Sequence, residues 1–291
     1  MSAGDGRFHL RVQRYGWDLA SETYDGGWVP LLTPFAAAAV DKLSLAPGER
    51  VLDVATGPGT AAFLAADRVG PEGAVLATDI AAKMVRLAES RAATRDLRQM
   101  SFRRTDMESP VLDADSFDAA LCVFGLMFAA DMGAAVRELY RVLRPGGRLS
   151  VVVWGRRAHC GWAEVFPIVE RHVTSDVCPM FFGLGVPGAM AAALARAGFT
   201  DVREEREAGV LEWPDADAAV EAILAGGAVA LAYNKFAPDV RAKVRSEYAA
   251  SIAPYREASG YRIPAEFVFG TARKPGANRA TPPDAPPARA E

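Results

Sequence analysis

Two acids and the glycines between them carry the clearest chemical potential in this chain. The segment Val51-Leu52-Asp53-Val54-Ala55-Thr56-Gly57-Pro58-Gly59-Thr60 reads as an apolar strand, a Gly-rich turn and the start of a helix. Glycines in such a turn let a ligand approach the backbone and leave helix N-terminal amides free to donate hydrogen bonds. Asp79 follows Gly59 by about 20 residues and ends the next apolar run, where a carboxylate accepts hydrogen bonds from the hydroxyls of a ribose. Turn and acid together describe a nucleoside site at the carboxyl edge of a parallel sheet.

Gly57-x-Gly59-x-x-Ala62 with Asp79 also satisfies the dinucleotide fingerprint, so the turn leaves a nicotinamide cofactor and S-adenosylmethionine both open. Asp53 tilts the balance towards the second. A carboxylate inside the turn repels a pyrophosphate, but it accepts a hydrogen bond from the cationic amino group of a methionine moiety.

The elements that must position these groups follow from the apolar pattern. Runs at Arg50 to Ala55, Ala74 to Asp79, Ser101 to Thr105, Phe117 to Phe124 and Arg148 to Trp154 read as strands. Alanine-rich stretches at Thr60 to Val69, Ala81 to Arg95 and Met132 to Leu143 read as the helices between them, which is the alternation of a parallel sheet wrapped by helices. Upstream, residues 8 to 45 read as two helical pieces carrying Tyr15, Trp17, Tyr24 and Trp28, with Pro30 and Pro34 opening or interrupting the second. Downstream, Gly188 to Gly198 reads as helix, Asp201 to Trp213 as strand and Tyr261 to Thr271 as the last strand.

The motifs, taken in order, resemble the class I methyltransferase superfamily, and within it the small-molecule group that includes ubiquinone and menaquinone biosynthesis C-methyltransferases. The matching elements are Val-Leu-Asp-Val-Ala-Thr-Gly-Pro-Gly at 51 to 59, Ala-Thr-Asp-Ile at 77 to 80 followed by Met84, Thr-Asp-Met at 105 to 107, and Leu-Arg-Pro-Gly-Gly at 143 to 147. The resemblance is close from Arg50 to Trp154 and looser as far as Thr271. It implies an α/β fold: a doubly wound, seven-stranded, mostly parallel sheet with N-terminal helices and a helical lid insertion before the last strand. The corresponding expected division is a helical cap at 1–48, a cofactor-binding core at 49–214, the lid at 215–258, the last strand at 259–273 and a disordered tail at 274–291.

The resemblance further implies S-adenosylmethionine as cofactor and S-adenosylhomocysteine as product. Asp53, Ala55, Gly57 and Gly59 would line the methionine end, and Asp79, Ile80 and Met84 the ribose and adenine. Asp106 and Met107 would touch the adenine, with Cys122, Val123 and Phe124 as the floor beneath the sulfonium. Ala55 departs from the pattern, standing where much of the superfamily has the first glycine of the turn.

Only His9, His159 and His172 supply imidazole, and His159, just past the strand ending at Trp154, is the candidate general base; its plainer reading is a surface histidine. Tyr24, Trp28, Met127, Trp162, Tyr233 and Phe236 are candidates for the acceptor pocket, favouring an apolar or aromatic small molecule. In the lid, Gly226 and Gly227 read as a hinge. A non-catalytic cofactor-binding module and a nicotinamide oxidoreductase stand as the alternatives to a methyltransferase.

Bulk properties bound the partners. The 33 Lys plus Arg against 36 Asp plus Glu leave a net charge of -3, which argues against nucleic acid. Cys122, Cys160 and Cys178 are too few and too widely spaced for a disulfide framework or a zinc site, so no metal is expected and the compartment reads as reducing and cytoplasmic. No apolar run approaches the roughly 20 residues of a membrane span, and a monomer or homodimer is expected.

Overall fold

In the computed structural model, residues 3–173 and 181–276 are described. Cys178 lies outside the described residues, as do positions 277–291 of the expected tail. The apolar runs form β1 (Arg50–Val54), β2 (Ala74–Asp79), β3 (Met100–Arg104), β4 (Phe117–Val123) and β5 (Leu143–Trp154), all paired in parallel. Their sequences lack hydrophobic alternation because helices cover both faces; every residue of β1 after Arg50 is buried. Two long strands complete the sheet, β6 (Thr200–Trp213) and β8 (Gly260–Arg273), with the two-residue β7 (Arg256–Glu257) paired to β8. The order is β3-β2-β1-β4-β5-β8-β6, and β8 runs antiparallel to both neighbours. The sheet is therefore mostly parallel, and its order reverses between β1 and β4. β6 lies on the outer edge and alternates charged residues such as Arg203, Glu205 and Glu207, a pattern that blunts edge-to-edge association.

The N-terminal aromatics lie on α1 (Ala3–Gly27) and on Trp28, which separates α1 from α2 (Val29–Leu43). Pro30 sits in the first turn of α2, where its missing N–H has no intrahelical acceptor in any case, and Pro34 is carried inside the helix. The core helices are α3 (Thr60–Val69), α4 (Ala82–Thr94), α5 (Met132–Val142), α6 (Val165–Glu170) and α7 (Ala189–Arg196). Between β6 and β8 lie α8 (Ala216–Ala225), α9 (Ala230–Lys235) and α10 (Pro238–Ile252). Asp131 caps α5 and Asp215 caps α8, each carboxylate accepting from the backbone N–H three residues on.

Two expectations need correction here. The strand expected from Arg148 is already paired at Leu143, opposite Phe117. Gly146, at φ +81°, turns its N–H onto the Lys274 carbonyl at 2.9 Å. Lys274, expected to open a disordered tail, is tied down: its ammonium donates to the Leu143 carbonyl at 2.7 Å and to Asp115 at 2.6 Å. The tether exists because the turn before the main run of β5 presents unpaired carbonyls at the end of β8.

Gly226 and Gly227 do not read as a hinge in the folded chain. A Cβ on Gly226 would come within 2.7 Å of the Ala222 carbonyl and 3.0 Å of the α1 backbone at Thr23 and Tyr24, and one on Gly27 within 2.7 Å of Ala222 Cβ. Small residues here let α1 and α8 touch through their backbones, and the Trp28 indole N–H seals the contact on the Ala222 carbonyl at 2.7 Å. Gly226→Ala is expected to cost about 1–3 kcal/mol in urea unfolding, with the displaced α1 also loosening ligand binding at Tyr24; an unchanged unfolding midpoint would show that the crossing has slack.

Candidate active site

The site opens where the sheet order reverses, at the carboxyl ends of β1, β2 and β4, the usual place for a ligand crevice in such a sheet. Leaving β1, the chain enters the left-handed region at Ala55 (φ +56°) and again at Gly57 (φ +55°) and Gly59 (φ +97°). The turn is held by Thr56, whose N–H donates to the Thr78 carbonyl at 2.9 Å and whose hydroxyl donates to Asp53 Oδ2 at 2.6 Å. Gly59 caps α3 with no side-chain hydrogen bond of its own, and the buried Asp53 carboxyl lies at the first-turn N–H of Ala62.

Asp53 is 1% exposed, and its Oδ1 has no hydrogen-bond partner. Burial pushes its carboxyl up to about 7; the Thr56 hydroxyl opposes the shift and the charge of Asp79 adds to it. Asp79 Oδ2 accepts from the Gly57 N–H at 2.9 Å and Oδ1 from the Ala81 N–H at 2.8 Å. Burial raises it as well, to about 6, against those backbone donors. Two buried acids thus share one pocket with no basic side chain bonded to either, a pair that favours a cationic ligand.

The cleft around them has a volume of about 1020 Å³, open mouth included. Asp53, Ala55, Gly57, Asp79, Ile80 and Met84 line it from β1, β2 and α4, and Asp106 and Met107 from the loop after β3. Val123 and Phe124 line it from the end of β4, where Phe124 also adopts a left-handed backbone (φ +55°). Gly59 and Cys122, expected to line the cofactor site, stand just behind it. The Gly59 N–H is spent on the Thr56 carbonyl, and the Cys122 thiol lies under Gly125, pushed up to about 12 by burial. Ala55 fits because its neighbour is Gly125, where a Cβ would overlap the Ala55 methyl.

The fourth wall comes from α1, whose Leu10, Gln13, Trp17 and Tyr24 face the cleft. These positions recur at helical spacing, so the face was readable in the sequence, but only Tyr24 stood out as a ligand residue. The helix is pinned across the mouth by His9 Nε2 on the Phe128 carbonyl (2.8 Å), by Asp18 accepting from the Lys83 N–H (2.7 Å) and by an Asp25–Arg91 ion pair.

A second cavity, about 440 Å³, adjoins the first; Trp17, Tyr24, Leu32, Phe124 and Phe128 line both. Of the expected acceptor residues, Tyr24, Trp28, Met127 and Trp162 line it. Tyr233 and Phe236 do not: the two rings lie 6.3 Å apart, with Arg241 over Tyr233 and His172 beside Phe236. The lid segment contributes Ile223, Gly227, Ala228 and Val229 instead, from the end of α8 and the α8–α9 turn. Trp17, Leu32, Trp154, Val165, Phe166 and Phe181 complete the wall.

His159 lies outside both cavities. Its Nδ1 bonds Glu266 Oε1 at 2.8 Å, beside Arg156 and Arg206. Burial raises Glu266, but the Arg156 N–H, His159 and the Arg156 guanidinium hold it down at about 2. The cluster ties the loop after β5 to β8 and holds the imidazole through Nδ1, away from both cavities.

A family model described as a methyltransferase domain matches residues 51–147. The nocamycin O-methyltransferase of Saccharothrix syringae is 32% identical over 282 residues, 89% of this chain and 98% of that protein. The chain belongs to the S-adenosylmethionine-dependent class I methyltransferases. The ubiquinone/menaquinone biosynthesis C-methyltransferase UbiE of Xanthomonas oryzae is 40% identical, but over 43% of this chain and 49% of that one. A phosphoethanolamine N-methyltransferase of Haemonchus contortus, solved with S-adenosylhomocysteine and phosphomonomethylethanolamine, shares the fold with a TM-score of 0.56 at 19% identity, covering 86% of this chain and 53% of that one.

S-adenosylmethionine is the cofactor of this methyltransferase, and the site suits it. Two buried acids with raised values at one end of the cleft suit a ligand that carries an ammonium and a sulfonium. Among the described residues no helix is long and apolar enough to cross a membrane.

Two predictions come from this geometry. Because both acids have raised values, the native apo-protein holds protons more tightly than the unfolded chain, so its stability should fall as pH rises from about 4 to 7. Cofactor affinity should move the other way, weakening on acidification through 7 and 6 by up to about tenfold per pH unit for each acid that must ionise. Calorimetry between pH 5.5 and 8 checks this, and a flat affinity profile would remove the charge pairing. Gly125→Ala should destabilise by about 1–3 kcal/mol, and Ala55→Gly in the same chain should recover at least about 1 kcal/mol of it in a double-mutant unfolding cycle.

Proposed function

We propose that this methyltransferase methylates an oxygen of a small apolar or aromatic acceptor seated in the second cavity. The observation that carries the reading is the shared wall: a molecule bounded by Tyr24, Phe124 and Phe128 abuts the cofactor cleft with no intervening chain. Full-length similarity to an O-methyltransferase, against half-length similarity to a C-methyltransferase, supports oxygen as the accepting atom.

When bound, S-adenosylmethionine supplies a methyl group on a cationic sulfur to a nucleophile aligned with it. The chain's own part is to bind, align and dry the reactants. Asp53 receives the amino group, Asp79 the ribose hydroxyls, and the loop at Asp106 and Met107 the base. Phe124, Met127 and Phe128 exclude water from the junction of the two cavities.

Tyr24 is the one ionisable side chain among the described residues lining the second cavity. Burial, with the charges of Asp79 and Asp25, raises its pKa, so at neutral pH it is an uncharged phenol that donates a hydrogen bond and takes no proton. The acceptor therefore enters as an acidic hydroxyl or enol already ionised in water, and positioning supplies the acceleration.

Filling the second cavity tests the reading. Ala228→Phe should lower turnover of phenol and enol acceptors, followed as S-adenosylhomocysteine release, by at least about tenfold, while S-adenosylmethionine affinity stays within about twofold. Equal loss of both, with the melting temperature intact, would place the acceptor elsewhere.

A further inference from the structure

The inner face of α1 carries one side chain unlike its neighbours. Leu10, Trp17 and Tyr24 line the cofactor cleft at helical spacing, and Gln13, on the same face, brings a primary amide to it. Gln13 is half-buried, and its amide is neither sealed inside the protein nor bonded to another described residue. A partly desolvated amide is costly until a partner meets both its N–H and its carbonyl. Elsewhere around the cleft the polar side chains are carboxylates, threonine hydroxyls and the Tyr24 phenol. Among the described lining residues, side-chain nitrogen comes from Gln13 and Trp17 alone, and the Trp17 ring sits edge-on to Tyr24 and Phe128.

The anchors of α1 fix where that amide stands. One turn before it, His9 bonds the Phe128 carbonyl at 2.8 Å, and the chain just past Phe128 is tied to the loop after β3, where Glu108 accepts from the Ala130 N–H. Five residues after it, Asp18 accepts from the Lys83 N–H at 2.7 Å, at the start of α4. Gln13 therefore stands between the loop of Asp106 and Met107 and the corner that carries Ile80 and Met84, all of which line the same cleft. Tyr24, about 16 Å farther along the helix axis, lies at the Gly-rich turn, where a Cβ on Gly57 would meet its ring at 3.9 Å. The helix thus runs the length of the cleft, with an amide towards one end and a phenol at the other.

We infer that Gln13 is a specificity-determining residue that reads the adenine of S-adenosylmethionine, its carbonyl accepting from the 6-amino group and its amino group donating to the neighbouring ring nitrogen. This rests on the reading of the Asp106 and Met107 end of the cleft as the adenine end. Adenine offers a donor and an acceptor side by side, and a primary amide answers both from one plane. An ionised carboxylate such as Asp106 accepts from the amino group but has nothing to donate to a ring nitrogen. Gln13 lies outside residues 51–147, which the family model matches, so its part is additional to the core motifs. A base without the amino group leaves the amide carbonyl unpaired, and a site that pairs with a polar group of its ligand rejects the analogue lacking it.

The test uses the full-length protein and two ligands, S-adenosylhomocysteine and its 6-deamino analogue, in which hydrogen replaces the amino group of the base, with affinities read by calorimetry. The wild-type chain should prefer S-adenosylhomocysteine by at least about tenfold. Gln13→Met, close in shape but without the amide, should shrink that ratio by at least about threefold. If Gln13 only helps to hold α1, the variant weakens both ligands alike and the ratio stays, which overturns the inference; equal affinities in the wild type overturn it as well. Asp106→Ala separates this result from the reading beneath it. A ratio that falls in Asp106→Ala but holds in Gln13→Met removes Gln13 alone, whereas a ratio that holds in both variants removes the adenine from this end and the inference with it. Should Gln13→Met lose its melting transition, Gln13→Leu replaces it, judged by the same ratio.

Discussion

Two buried carboxylates at the reversal point of a parallel sheet set the terms for everything around them. Asp53 and Asp79 sit at the ends of adjacent strands, with no cation bonded to either, and burial lifts both towards neutrality. Such a pair is tolerable because backbone N–H groups from Gly57 and Ala81 and the Thr56 hydroxyl partly satisfy it. The chain leaves β1 through left-handed backbone at Ala55 and Gly57, and Gly125, beside the Ala55 methyl, has no room for a side chain. When ionised, the two carboxylates give this end of the cleft its negative charge.

The rest of the molecule encloses that charge. α1 crosses the mouth and is fastened to both sides, to α4 by Asp18 and Asp25 and to α8 through the close approach at Gly27 and Gly226. The aromatic cavity then arises where the α1–α2 junction, the ends of β4 and β5, the segments around α6 and the α8–α9 turn converge. Behind it, Glu266 ties Arg156, His159 and Arg206 together, and Arg206 reaches on to the Gly185 carbonyl. The loops that carry Trp162 and Phe181 are thereby braced against β8 at some distance from either ligand. His159 belongs to that brace.

The cofactor half of the site was legible because its determinants are local. A Gly-rich turn between an apolar strand and a helix constrains φ over a few residues, and Asp79 lies at the spacing that one strand–helix–strand unit produces. Strand identities followed for a similar reason: residues buried on both faces leave apolar runs in any parallel sheet. The second cavity depends on which helix face meets which neighbour, and periodicity marks a face as buried without naming what covers it. Tyr233 and Phe236 therefore looked like pocket residues and proved to pack on each other, on Arg241 and on His172, while Ile223 and Val229 of the same segment took the pocket. Gly226 looked like a hinge because glycine is free in isolation; it proved to be a contact because α1, some 200 positions earlier in the chain, needs the space. His159 was drawn to the site by its place after β5 and held away from it by Glu266, a partner 107 residues distant. Backbone geometry written into a short motif survives translation from sequence to structure unchanged, whereas pairings across a hundred residues or more are chosen only when the whole chain packs.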